Sequence, residues 1–107
     1  DQQFVKELLN KSITFGDDYS ELVATHADNW ETDRIALLDM ILMKMALSEL
    51  EHFPTIPIKV SLNEYIELAK VYSTPKSKVF INGVLDKLVA EMKGSKRINK
   101  SGRGLVE

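Results

Sequence analysis

Cysteine is absent from the 107-residue chain, and proline occurs only three times and tryptophan once. Without cysteine there can be no disulfide framework, no thiol nucleophile and no thiolate metal site; a reducing compartment is compatible with that. No apolar run approaches the roughly 20 residues needed to cross a bilayer. Nor does a charged-then-apolar signal segment open the chain, although a first residue of Asp1 rather than methionine suggests that the natural N-terminus lies upstream. The two histidines, His26 and His52, have no histidine or cysteine partner at ligand spacing, and neither an HExxH motif nor a glycine-rich phosphate loop occurs. Carboxylates such as Asp86 and Glu91 read as solvated helix-face charges. Enzyme chemistry is unsupported, and no cofactor or metal is expected.

What is present fits one small domain: 44% of the residues are apolar, 28% are charged, and the net charge is −2. That small net charge hides an asymmetry. Residues 1–58 hold eleven acidic and four basic side chains, whereas residues 59–107 hold five acidic and ten basic ones. Either the surface is merely dipolar with a basic tail, or the basic half meets an anion, because the local field matters more than the total.

Every long segment has helical periodicity. Residues 2–13 bring Phe4, Val5, Leu8, Leu9 and Ile13 to one face. A short second helix is expected to start at Asp17 or Asp18, with the carboxylate as cap and Leu22 and Val23 as apolar contacts. A third, capped by Thr32 and running to about Glu51, is apolar almost all round in "IALLDMILMKMALSEL", which marks the centre of a bundle. Pro54 and Pro57 then stop the helix and hold an extended link. "SLNE" reads as a capping box, Ser61 with Glu64, opening a fourth helix at 62–72 that buries Leu62, Tyr65, Ile66, Ala69 and Tyr72. The last helix starts between Pro75 and Ser77 and buries Ile81, Val84, Leu85, Leu88 and Met92. From Gly94 onward no apolar period remains, and a disordered basic tail is expected.

Two features resist a purely structural reading. On the last helix, Lys76, Phe80, Gly83 and Lys87 lie at i, i+4, i+7 and i+11, about a quarter-turn from the core line. An aromatic ring between two ammonium groups suits a single-stranded nucleic acid, the ring stacking a base and the lysines meeting phosphates. Alternatively, Phe80 is a core-boundary residue and Gly83 permits close helix packing, with Asn82 bonding a nearby backbone group. The second feature is Asp39, which falls among Ile35, Leu42, Met43, Ala46 and Leu50. An unpaired buried carboxylate is costly, so it needs an intrachain ion pair, a missing segment or a partner protein.

"IPIKVSLNEYIELAKVYS" followed by "KVFINGVLDKLV" resembles the C-terminal half of the NusB family of bacterial transcription antitermination factors. "DRIALLDMILMKMALSEL" is similar to that family's central helix in character and position. The resemblance runs from about Asp33 to Val89, and residues 2–30 fit it less distinctively. It implies an all-α NusB-like bundle of about five helices over residues 1–93, followed by the disordered basic tail, 94–107. It further implies a cytoplasmic, RNA-binding protein that takes the boxA segment of nascent RNA. In that family the protein acts with NusE, a ribosomal small-subunit protein, within the transcription elongation complex and away from membranes. Lys76, Ser77, Lys78 and Phe80 fall where family members touch RNA, with Lys70 and Lys87 extending the set. Asp39 falls on an acidic position that faces the protein partner. Two departures stand out. The family's arginine-rich first helix has no match, so the third helix is expected to leave an apolar face exposed or self-associating. Pro75 and Lys76 also stand where relatives can be acidic. The same fold serves as an RNA-targeting domain of ribosomal RNA cytosine methyltransferases, an alternative reading, although nothing resembles the methyltransferase half. A helical protein-interaction domain that never touches RNA is the third possibility.

Overall fold

Local sequence and burial together fix five α-helices among the residues that the computed structural model describes, 2–27 and 35–101. They are α1 (Gln2–Thr14), α2 (Gly16–His26), α3 (Leu37–His52), α4 (Ile58–Tyr72) and α5 (Pro75–Gly94). Helix α3 is the hub and packs against all four others. Met43, Ala46, Leu47 and Leu50 are wholly removed from solvent there, each large side chain contributing about 1.5–3 kcal/mol of transfer free energy. The α5 stripe of Ile81, Val84, Leu85, Leu88 and Met92 is buried as the periodicity requires.

The helix starts differ from the sequence reading. At the head of α2 the N-cap position is held by Phe15, with no side-chain cap. Asp17 and Asp18 instead lie in the first turn, where a carboxylate favours the positive end of the helix dipole. Thr32, the expected cap of the third helix, lies outside the described residues. Helix α4 begins at Ile58 with Pro57 in the N-cap position, so the Ser61–Glu64 capping box does not form. Ser61 is buried, and its hydroxyl donates to a Glu49 carboxylate oxygen at 2.8 Å. The Tyr65 hydroxyl donates to the other oxygen, also at 2.8 Å. Starting the helix early buries Ile58 and solvates an otherwise unanswered core carboxylate.

Residues 95–101 are docked on the bundle, contrary to the disorder expected there, while the rest of the expected tail, 102–107, lies outside the described residues. Helix α5 ends with Lys96 in the left-handed region, φ 63°. The Lys96 amide donates to the Lys93 carbonyl at 3.2 Å and the Arg97 amide to the Met92 carbonyl at 2.8 Å, the pair of bonds that defines a Schellman cap. That turn sends Ile98 into the core and Arg97 onto two other helices. Its guanidinium donates to Glu51 at 2.6 Å and to Asp18 at 2.6 Å, while the Tyr19 hydroxyl donates to Glu51 at 2.7 Å. The Lys100 ammonium donates to the Phe53 carbonyl at 2.9 Å, and the Ser101 amide to the Pro54 carbonyl at 2.9 Å. Polar composition conceals this segment because its anchors are charges, not an apolar stripe.

Candidate nucleic-acid interface

The turn between α4 and α5 and the solvent face of α5 hold the basic residues singled out above. Ser73 ends α4, its amide donating to the Ala69 carbonyl at 2.9 Å. Thr74 then caps α5, its hydroxyl oxygen accepting the Ser77 amide at 3.0 Å. Pro75 occupies the first helical turn, where its fixed φ suits a helix start and its missing donor is no loss. The turn is tied down from below by Asp39, which accepts a tight hydrogen bond from the Ser73 hydroxyl. Asp39 is 3% exposed. Its carboxylate therefore has a hydrogen-bond partner inside the chain, a serine hydroxyl in place of the expected ion pair. In the first turn of α3 the carboxylate also favours that helix's dipole.

Lys76 and Lys87 are exposed on α5, and Lys78 is half-buried. The residues spaced i, i+4, i+7 and i+11 do fall on one continuous helix, so Lys76, Phe80, Gly83 and Lys87 share a face. Phe80 is half-buried and packs against the core, leaving only part of its ring available. Ser77 is committed to the cap, its hydroxyl accepting from Thr74 at 3.1 Å. Lys70, at the end of α4, is paired with Glu67 at 3.2 Å. A Cβ built on Gly83 meets nothing within 4 Å. Gly83 therefore does not serve a close helix approach among the described residues, and the space beside Phe80 is open.

Tyr72, which its spacing from Tyr65 and Ala69 assigns to the core, is 66% exposed. Its stripe runs out where α4 ends, and the described residues leave most of its ring in solvent. It leaves an exposed aromatic ring four residues before Lys76, across the capped turn. A large aromatic at the last position of a helix, just before a proline-started helix, is the signal available in the sequence. Val79, 73% exposed, adds an apolar contact in the first turns of α5. An exposed ring, a lysine pair and a positive helix start together suit stacking on a base with phosphate contacts alongside. No group of three histidine, aspartate or glutamate side chains among the described residues could hold a metal ion, and no described helix is long and apolar enough to cross a membrane.

Comparison with known proteins bears on this arrangement. The model of the NusB family matches residues 1–90. The transcription antitermination protein NusB of Salinibacter ruber is 43% identical over 105 residues, covering 98% of this chain and 66% of that protein. The NusB of Chloroherpeton thalassium is 44% identical over 106 residues, covering 99% of this chain and 50% of its own. The solved structure of T. maritima NusB superposes with a TM-score of 0.80 at 26% identity, over 89% of this chain and 67% of that one. The chain thus spans half to two thirds of the length of these relatives.

Proposed function

The chain belongs to the NusB family, and from that premise we propose that it is an RNA-binding transcription antitermination factor whose RNA surface is the α4–α5 turn and the outer face of α5. The observation that carries this reading is the exposed Tyr72 ring beside a capped helix start bearing Lys76, with Lys87 further along the same face. No acidic side chain occurs from Leu68 to Leu85, a run that includes Lys70, Lys76 and Lys78, so this stretch of chain is net positive toward a phosphate. In its finer form the proposal is that the RNA is a boxA-type single strand of a nascent transcript. NusE would share the complex, and the destination is the transcription elongation complex. Asp39 acts on this reading as a positioning residue, fixing the turn through Ser73.

The test is a titration of the full-length protein, with and without NusE, against a short boxA-type RNA and a scrambled RNA of equal composition. Tighter binding of the boxA strand, strengthened by NusE, is the expected result. Equal affinity for both strands would contradict the boxA assignment. An absence of RNA binding at low salt would contradict the proposal as a whole and favour a protein-interaction domain.

A further inference from the structure

Helix α5 is fastened at both ends. Its head rests on the Thr74 cap and, through Ser73, on Asp39. Its tail is held by the segment 95–101, which lies beyond residue 90, where the match to the family model ends. Arg97 is the main anchor. Its Nε donates to one Glu51 oxygen at 2.6 Å, and its Nη2 donates to the other at 3.1 Å and to Asp18 at 2.6 Å. That fork ties α2 and α3 to the tail of α5 at once, which a single lysine ammonium cannot reproduce. Lys100 closes the C-terminal end of α3, donating to the carbonyls of Glu49 at 3.3 Å and Phe53 at 2.9 Å, where a cation also meets the negative end of the helix dipole. Between these anchors in sequence, Ile98 is buried in the core.

Helix α2 acts as a brace. Its 11 residues fall short of the roughly 12–15 that an isolated helix needs to persist in water. Both of its ends are pinned to the tail of α5, by His26 to Glu91 at 3.3 Å and by Asp18 to Arg97 at 2.6 Å. Lys87 lies only about 10 Å along the axis from Gly94, so these tail anchors set where Lys87 stands. The helix itself spaces Lys76 from Lys87. What the two fastenings fix is the tilt of α5 against α4, and with it the distance from the Tyr72 ring to Lys87.

We propose that residues 95–101 are a strap that positions the RNA face, with Arg97 as its positioning residue. Arg97 touches no RNA, yet sets the tilt on which simultaneous stacking at Tyr72 and phosphate contact at Lys87 depend. This rests on the reading of α5 as the RNA face and adds a requirement to it. A binding constellation has to be held within about 0.5 Å of its productive geometry, so loosening the tail weakens binding without removing a contact.

The test uses the full-length protein and a short boxA-type RNA, at a temperature where circular dichroism shows each variant folded. Arg97→Gln should weaken RNA binding about threefold to tenfold. The slope of log affinity against log salt should stay unchanged, because no phosphate contact is lost. Arg97→Lys should recover only part of the affinity. Asp18→Asn, at an exposed position, keeps the fold and gives the sharper sign. Deleting an acidic charge favours RNA on electrostatics alone, whereas here it should weaken binding because the brace is loosened. Without RNA, amide hydrogen exchange in Arg97→Gln should quicken in α2 and in the last turns of α5. Unchanged RNA affinity in Arg97→Gln, or raised affinity in Asp18→Asn, would overturn the proposal. So would a salt slope shallower by about 0.7 in Arg97→Gln, the mark of a direct phosphate contact. A parent protein that binds no RNA would sink the assignment of α5 and the proposal with it; exchange that stays slow in Arg97→Gln would sink the strap alone.

Discussion

Tyr72 and Phe80 show how one aromatic residue can look like core and another like surface until the ends of the helices are known. Helical spacing puts Tyr72 with Tyr65 and Ala69, but spacing carries no information about whether a neighbouring helix reaches that far. Phe80 sits off the core line as its position on the wheel requires, yet its ring still reaches the core edge. Removing each should therefore separate the two roles. Tyr72→Ala should lower RNA affinity by roughly 1–3 kcal/mol, the usual worth of one stacked base, with little change in the unfolding temperature. Phe80→Ala should cost stability, but less than the roughly 3–5 kcal/mol of a fully buried phenylalanine. RNA titration and thermal unfolding of both variants check this; unchanged RNA affinity for both would move the stacking site elsewhere. Gly83 offers a finer test, since a methyl group there meets nothing. Gly83→Ala should raise stability by about 0.5–1 kcal/mol through helix propensity, and lower RNA affinity where a base occupies the open space.

Among the elements, α5 is the most legible in the sequence and the segment after it the least. The buried stripe from Ile81 to Met92 is strictly periodic, so its burial follows from the sequence. The start of α4 misleads because Ser61 and Glu64 match a capping pattern, while the burial that overrides it depends on Glu49, twelve residues earlier in sequence. The docked segment is hidden for the same reason: Arg97 reaches Asp18, 79 positions away. Two measurements test this element. Lys96 holds a left-handed conformation that glycine adopts without steric cost, so Lys96→Gly should raise stability by about 1 kcal/mol, read by chemical denaturation. Burial would raise the Glu51 carboxyl, but hydrogen bonds from Arg97 and Tyr19 and the guanidinium charge prevail and hold it below its usual range. A depressed carboxyl contributes stability above its unfolded pKa, about 4.3, and that stability is lost as pH falls through the lower folded value. Unfolding temperatures measured from pH 7 to pH 3 should therefore show an acid-side decline that is shallower in Arg97→Gln, which starts from a lower plateau. An identical profile in the variant would mean that Arg97 does not set the state of Glu51.

At the scale of the whole molecule, the charge division seen in the sequence only partly matches the surface, because α4, in the basic half, exposes Glu64 and Glu67. An apolar groove on α4 carries glutamates, and the solvent face of α5 carries Lys76 and Lys87, with Asp86 and Glu91 also exposed in its second half. Counting charges along the chain is enough to expect a basic face. It cannot reveal the acidic groove, because Glu64 and Glu67 lie in the half of the chain with the basic excess. The exposed Val5, Leu9 and Ile13 of α1 and Leu37, Leu38 and Ile41 of α3 agree with the expectation that five helices leave apolar surface uncovered. The central claim is that the face of α5 meets phosphates, and salt dependence tests it most directly. Each phosphate contact to a single strand contributes about 0.7 to the slope of log affinity against log salt. Lys76→Ala combined with Lys87→Ala should make that slope shallower by roughly 1.4, with the fold retained by circular dichroism. A slope unchanged from the parent protein would contradict the assignment and place the RNA on another surface.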